Sequence, residues 1–199
     1  MTQGDASSCS SICVYCGSQA GLAADHLETA RALGRACAAN GIRVVFGGGS
    51  IGLMGALAEA SRAAGGAVTG IIPDHLRARE LADEAVDDLV VVDSMHERKR
   101  LMAERADGFC VLPGGIGTLD ETIEILTWKQ LGLHTKPVVL LDNGRFWDPL
   151  MQLFAHQRAA GFLGETEPNL FQRAGSVDEA MGILTHTPRA TAATGLDRA

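Results

Sequence analysis

With 199 residues, 46% of them hydrophobic and 21% charged, the chain has apolar mass for one substantial core and the balance of an ordinary soluble protein. A net charge of −7 excludes a sequence-independent nucleic-acid binder, which needs a basic face to displace counterions, but leaves room for a nucleotide monomer held by a few cations. No apolar run reaches the roughly 20 residues of a membrane span, and residues 1–11 lack a signal-peptide core, so a cytoplasmic protein with no membrane partner is expected.

Residues 1–10, rich in Ser, Gly, Asp and Thr, read as a disordered N-terminus. Residues 12–15 form a first strand, broken by Gly17-Ser18. From residue 25 to 40, Leu27, Ala30, Leu33, Gly34 and Cys37 mark one helical face, closed by the C-cap signal Asn40-Gly41. A strand over 42–46 then runs into a glycine-rich turn and a helix over 53–64. Residues 67–72 make a third strand, stopped by Pro73. After a polar stretch the alternation resumes with a strand at 89–92, a helix at 95–106 and a strand at 108–112. A second glycine loop, a helix and a strand at 138–141 follow. Two more helices, near 147–160 and 177–184, flank a short strand near Leu170, and residues 187–199 lack periodicity and read as a disordered C-terminal tail. Continuous apolar strands alternating with helices predict an α/β fold: a single-domain, Rossmann-like, doubly wound parallel sheet over residues 11–186, with helices on both faces.

Five cysteines lie at positions 9, 13, 16, 37 and 110, an odd number. Cys13 and Cys16 form a lone C-x-x-C inside an apolar run, with no second pair to close a metal site, so they are expected to be buried thiols.

The segment around which the chain is organised is Pro113-Gly114-Gly115-Ile116-Gly117-Thr118-Leu119-Asp120-Glu121. It joins a buried strand to a helix whose apolar periodicity runs over residues 122–131, which puts Asp120 and Glu121 in the first helical turn. Glycines allow unusual backbone angles and remove the Cβ atoms that keep a ligand from main-chain N–H groups. Such a loop at a helix N-terminus binds anions, phosphate above all. The same residues would also make a plain tight turn. Carboxylates beside a phosphate, however, suggest chemistry on the atoms next to it.

Gly47, Gly49 and Gly52 satisfy G-x-G-x-x-G between a strand and a helix, with Asp74 near the place of a ribose-binding acid. Alone, this reads as a dinucleotide oxidoreductase. Two glycine loops outside the carboxyl ends of parallel strands instead suit one nucleotide gripped from both sides. A third constellation, Met95-His96-Glu97-Arg98-Lys99-Arg100, opens a helix. Arg98 and Lys99 can lie near the crevice, and an arginine there holds a phosphate or carboxylate with two parallel bonds. Arg100 reads as solvated, His96 and His134 as structural, and Phe109 and Trp128 as core or interface aromatics.

These motifs carry a resemblance. Met95-His96-x-Arg98-Lys99 with Pro113-Gly114-Gly115-x-Gly117-Thr118-x-x-Glu121 resembles the LOG (LONELY GUY) family, the cytokinin riboside 5′-monophosphate phosphoribohydrolases. Gly47-Gly48-Gly49-Ser50-x-Gly52-Leu53-Met54-Gly55, Thr127-Trp128-x-Gln130-Leu131-Gly132-x-His134-x-Lys136-Pro137-Val138 and Trp147-Asp148-Pro149-Leu150 are similar to it as well, so the likeness spans residues 12–185. It implies hydrolysis of the N-glycosidic bond of an N6-modified AMP to free base and ribose 5-phosphate, with Arg98 and Glu121 as the catalytic pair. It implies substrate contacts from Glu80, Arg98, Lys99, Gly114, Gly115, Ile116, Gly117, Thr118, Leu119, Asp120 and Thr127, and at least a homodimer with sites near the interface. Around Glu80 the sequence departs from the family pattern. Relatives have been labelled lysine decarboxylases, but no motif supplies a pyridoxal-phosphate site. No metal or cofactor is required, since the loops with Arg98 and Lys99 can neutralise one phosphate. The acid that protonates the leaving base is open between Asp120 and a water. A carrier that binds a nucleotide or cofactor without altering it is the competing reading.

Overall fold

Ser-Ile-Cys-Val-Tyr, a run whose five side chains are all buried, forms the central strand β1 (Ser11–Tyr15) of the computed structural model, which describes residues 9–19, 21, 24–142, 144–164 and 170–186. The other strands are β2 (Arg43–Phe46), β3 (Val68–Pro73), β4 (Asp88–Val92), β5 (Gly108–Val111), β6 (Val138–Leu141) and β7 (Gln172–Ala174). They pair in parallel in the order β4-β3-β2-β1-β5-β6-β7. The order runs outward from β1 in both directions, so the topological switch lies between β1 and β5.

Helices α1 (Ala24–Ala39), α2 (Gly52–Ala63), α3 (Met95–Glu104), α4 (Ile116–Gln130), α5 (Asp148–Ala159) and α6 (Val177–His186) cover the sheet. Alternation along each strand splits the core in two. Ile12, Val14, Val44 and Phe46 pack with α1, α2 and α6, whereas Cys13, Tyr15, Val45 and Ile71 pack with α3, α4 and α5. Both faces are therefore dry, as the continuous apolar strands require. Phe46 and Phe109 are fully buried, and truncating either to Ala is expected to cost about 3–5 kcal/mol.

Three details differ from the sequence reading. α4 begins at Ile116, inside the glycine stretch, which places Asp120 and Glu121 in its second turn. Pro73 belongs to β3 as its last residue, in register with Val92, a position where the missing N–H is tolerated. The short strand expected near Leu170 is Gln172–Ala174. Of the expected N-terminal disorder, residues 1–8 lie outside the described residues, whereas the Ser10 N–H and hydroxyl donate to Asp107 Oδ2 at 2.8 and 2.7 Å. The expected tail at 187–199 also lies outside them. Among the described residues no helix is long and apolar enough to cross a membrane.

Candidate active site

The carboxyl ends of β1 and β5 open into a cleft of about 660 Å³ at the switch point. The segments that follow these two strands meet there backbone to backbone: Gly17 N donates to Pro113 O at 3.1 Å, and Leu112 N donates to Tyr15 O at 2.9 Å. Gly114 is required by this approach. A Cβ on it would strike the Thr118 hydroxyl and come within 2.9 Å of Gly17 N.

Gly115 and Gly117 have another role. Neither has positive φ, so conformational freedom does not explain them, but a Cβ at either would face open space. Gly115 is the N-cap of α4 with no side-chain cap, and the first intrahelical bond runs from Leu119 N to Gly115 O at 3.0 Å. The N–H groups of Ile116, Gly117 and Thr118 therefore precede the intrahelical ladder, with the positive end of the helix dipole behind them. The N-terminus of α3 is closed by contrast: Ser94 Oγ accepts from Glu97 N at 3.1 Å, and Glu97 Oε2 accepts from Asp93 N at 3.3 Å.

Arg98 reaches the cleft from α3 with 4% of its surface exposed. Its Nε donates to Ile71 O at 3.2 Å, and its Nη2 donates to Gly47 O at 2.8 Å and lies 3.3 Å from Glu80 Oε2. Among the described residues Nη1 has only a long contact, 3.7 Å, to Met95 Sδ. The guanidinium fills the space a Cβ on Gly47 would need. The first glycine loop is thus a seat for Arg98 rather than a second phosphate cradle. Its other groups are also engaged: Gly48 O accepts from Asp83 N at 2.8 Å, Ser50 N donates to Leu81 O at 2.9 Å, and Leu53 N donates to Gly17 O at 3.0 Å. Asp74 is tied to Arg77 at 3.7 Å and does not line the cleft.

Glu121 lines the cleft from the second turn of α4. Burial pushes its carboxyl up to about 7 against the pull of Arg98, and the nearby carboxylates Glu80 and Asp120 push the same way. No ion pair joins it to Arg98 among the described residues. A carboxyl of this kind divides between acid and base near neutrality.

The cleft thus brings together Glu80, Arg98, Gly114, Gly115, Ile116, Gly117, Thr118 and Glu121. Lys99, Leu119, Asp120 and Thr127 do not line it. The buried Lys99 Nζ lies 3.1 Å from Asp120 and 2.9 Å from Glu124, tying α3 to α4. Burial opposes its charge, but the two carboxylates outweigh that and raise its pKa. Thr127 lies about three turns beyond the start of α4, its hydroxyl donating to Ile123 O at 2.7 Å.

His26, Phe146, Cys16 and Met54 also line the cleft and were missed by sequence reasoning. His26 packs edge-on to Phe146 with ring centroids 6.0 Å apart, and its buried Nδ1 has no hydrogen-bond partner among the described residues. Cys13, Cys16, Cys37 and Cys110 are buried free thiols whose pKa values burial pushes up. His134 is held in the core between Ile125 O at 2.9 Å and Lys136 N at 3.2 Å, and burial lowers its pKa to about 4. His96 is exposed outside the cleft.

A family model described as possible lysine decarboxylase matches residues 54–185. A probable cytokinin riboside 5′-monophosphate phosphoribohydrolase of Oryza sativa subsp. japonica is 44% identical over 160 residues, 80% of this chain and 70% of that protein. The cytokinin riboside 5′-monophosphate phosphoribohydrolase of Rhodococcoides fascians is 44% identical over 154 residues, 77% of this chain and 78% of that protein. Among solved structures, the molybdenum cofactor carrier protein of Chlamydomonas reinhardtii superposes with a TM-score of 0.65 at 26% identity, covering 87% of this chain and 94% of that one. With the matched segment carrying Arg98, the α4 loop and Glu121, the chain belongs to the LOG family, whose curated members are cytokinin riboside 5′-monophosphate phosphoribohydrolases.

Proposed function

We propose that the protein hydrolyses the N-glycosidic bond of cytokinin riboside 5′-monophosphates, N6-modified AMP molecules, to the free base and ribose 5-phosphate. The observation that carries this reading is the open, uncapped N-terminus of α4 in one cleft with Arg98 and a carboxyl raised to about 7. The 5′-phosphate sits on the N–H groups of residues 116–118, with the Thr118 hydroxyl as an added donor. Cleavage builds positive charge on the ribose, which the ionised form of Glu121 stabilises while it draws a proton from the attacking water; the C1′–O bond forms as the C1′–N bond breaks, and the departing base takes a proton from a water. Arg98, fixed by Ile71 O, Gly47 O and Glu80, offers Nη1 to substrate oxygens. Among the described residues no lysine lines the cleft, so a decarboxylase chemistry through a lysine Schiff base has no residue to start from.

The substrate is a small nucleotide, and the assembly we propose is a homodimer through α4. Leu119, Ile123 and Leu131 are exposed apolar residues on one row of that helix, with Thr127 between them. A second copy on this row would account for Thr127 among the substrate contacts, since it lies outside this chain's own cleft.

Product analysis tests the reaction. Incubation with AMP and N6-isopentenyl-AMP, with the matching ribosides and a Glu121→Gln control, should release free base from the monophosphates alone. No base from any of them, with AMP still raising Tm, would transfer the assignment to the carrier reading that shares this fold.

A further inference from the structure

The segment between β3 and β4 folds back over the first glycine loop and is pinned there at several points. Ser50 N donates to Leu81 O at 2.9 Å, Asp83 N donates to Gly48 O at 2.8 Å, and Gly49 pairs with Ala82 in an isolated antiparallel bridge. Leu81, the first of these anchors, takes φ +48°, a conformation that L side chains rarely adopt and that persists only where the surroundings over-determine it. Its neighbour Glu80 carries the carboxylate that meets Arg98 in the cleft.

One side chain links this strap to the body of the fold. Asp83 is buried, its Oδ2 3.1 Å from Nη2 of Arg62 in the last turn of α2, and its Oδ1 accepts from Ala85 N at 3.2 Å. Neither Arg62 nor Asp83 lines the cleft. Asp83 is buried while Arg62 is partly exposed, and such a partly buried ion pair is weak evidence for stability; its best-attested use is to fix one arrangement among several.

We propose that Asp83, held by Arg62, is a positioning residue: it locks the strap on the glycine loop so that Glu80 meets Arg98 inside the cleft. Its kinetic consequence rests on the glycosidase reading, whereas its electrostatic consequence rests on the geometry alone. Glu121 faces Arg98 and Lys99 from α3, Glu80 from the strap, Asp120 from its own helix, and Tyr15, Cys13 and Cys16 from β1 and its loop. Withdrawing Glu80 removes a negative neighbour of Glu121 and frees Arg98 from its partner, and both changes lower the Glu121 pKa.

The test uses the full chain with Asp83→Ala, Asp83→Asn, Arg62→Lys, Glu80→Gln and the double variant Asp83→Ala/Glu80→Gln. Two readouts are taken: the Glu121 midpoint by carboxyl ¹³C NMR without substrate, and base release from N6-isopentenyl-AMP. Asp83→Ala should lower the midpoint in the direction of Glu80→Gln and raise KM by about 10-fold or more, with kcat within about twofold. Arg62→Lys, which retains the charge, should keep both near wild type. The double variant should go no further than Glu80→Gln, as expected when one residue acts through the other. Asp83→Asn keeps the side-chain shape and the acceptor for Ala85 N, and should show the same changes to a smaller extent if Asp83→Ala folds poorly. Wild-type midpoint and KM in a folded Asp83→Ala or Asp83→Asn variant would overturn the proposal, as would effects that add to those of Glu80→Gln. Failure of the wild-type protein to release base sinks the glycosidase reading, and the Glu121 titration then decides the positioning role by itself.

Discussion

Arg98 gives its ion pair to Glu80, 3.3 Å away, and makes none with Glu121 among the described residues. The two carboxylates of the cleft are thereby set apart: one is paired, and the other is left to burial. This arrangement depends on a planar fork that meets Ile71 O, Gly47 O and Glu80 together. Arg98 meets them from two separate nitrogens, Nε and Nη2, and the one ammonium nitrogen of lysine cannot occupy both positions. Arg98→Lys is therefore expected to lower kcat/KM by about 100-fold or more, as does loss of one preorganised donor elsewhere. A variant with near-normal kcat/KM for N6-isopentenyl-AMP would remove Arg98 from the mechanism.

Glu121 should limit stability as well as supply reactivity. Its pKa is raised to about 7 in the folded protein. A raised carboxylate pKa means that the folded state binds more protons than the unfolded one between the unfolded value and about 7, so stability falls as pH rises through that window. Glu121→Gln removes this penalty. Its Tm should exceed that of wild type at pH 8 and match it near pH 4, while kcat drops by about 100-fold or more and AMP binding persists. An equal Tm difference at both pH values would mean that the carboxyl is not perturbed by folding.

The same carboxyl predicts the shape of the rate profile. If the ionised form of Glu121 is the base, kcat/KM for a monophosphate should fall on the acid side with an apparent pKa near 7, and this limb should vanish in the residual activity of Glu121→Gln. A limb in the ordinary carboxylate range would place the essential ionisation elsewhere.

Fold and site were not equally legible in the sequence. Strands such as β1 and β6 are continuous apolar runs, and their alternation with helices dictates a parallel sheet buried on both faces. Gly117 and Thr118 are weak helix formers and hide the start of α4 in the sequence, yet both lie in its first turn. Lys99 and Asp120 read as site residues through adjacency to Arg98 and Glu121, but one step along a helix turns a side chain by about 100°. They point at each other instead of into the cleft. His26 comes from the first turn of α1 and Phe146 from the turn before α5, and a lone histidine at a helix start or a phenylalanine in a turn gives no signal until the sheet brings them together. The role of the first glycine loop was also hidden, because nothing local shows that Arg98, 51 residues later, fills the space above Gly47.

The glycines of the α4 loop can be separated by their neighbours. Gly114→Ala must push Thr118 and the Gly17 backbone apart, so a loss of stability of about 1–3 kcal/mol is expected, read as a lower Tm. Gly117→Ala meets open space at a helical residue with ordinary φ, and should be neutral or stabilising by up to about 1 kcal/mol. Its methyl group nonetheless enters the space where the phosphate is proposed to sit. Higher KM for the monophosphate with unchanged or higher Tm is therefore the expected signature, and an unchanged KM would move the phosphate off this helix end.

The apolar row on α4 gives the last prediction. Leu119 and Ile123 are each 38% exposed and Leu131 68%, and with Thr127 they recur every fourth residue along one side of the helix. A second copy packed on this row would bury that surface and bring Thr127 against the neighbouring molecule. Ile123→Asp places a charge in the middle of the row at a residue that does not line the cleft. The variant should therefore sediment as a monomer where the wild type sediments as a dimer, with an unchanged circular dichroism spectrum. If Thr127 serves a site only across that contact, the monomer should also show a higher KM for the monophosphate, and Thr127→Ala in the dimer should show the same rise without dissociation. A wild-type protein that sediments as a monomer, or a dimer that survives Ile123→Asp with KM unchanged, would put Thr127 outside the substrate contacts altogether.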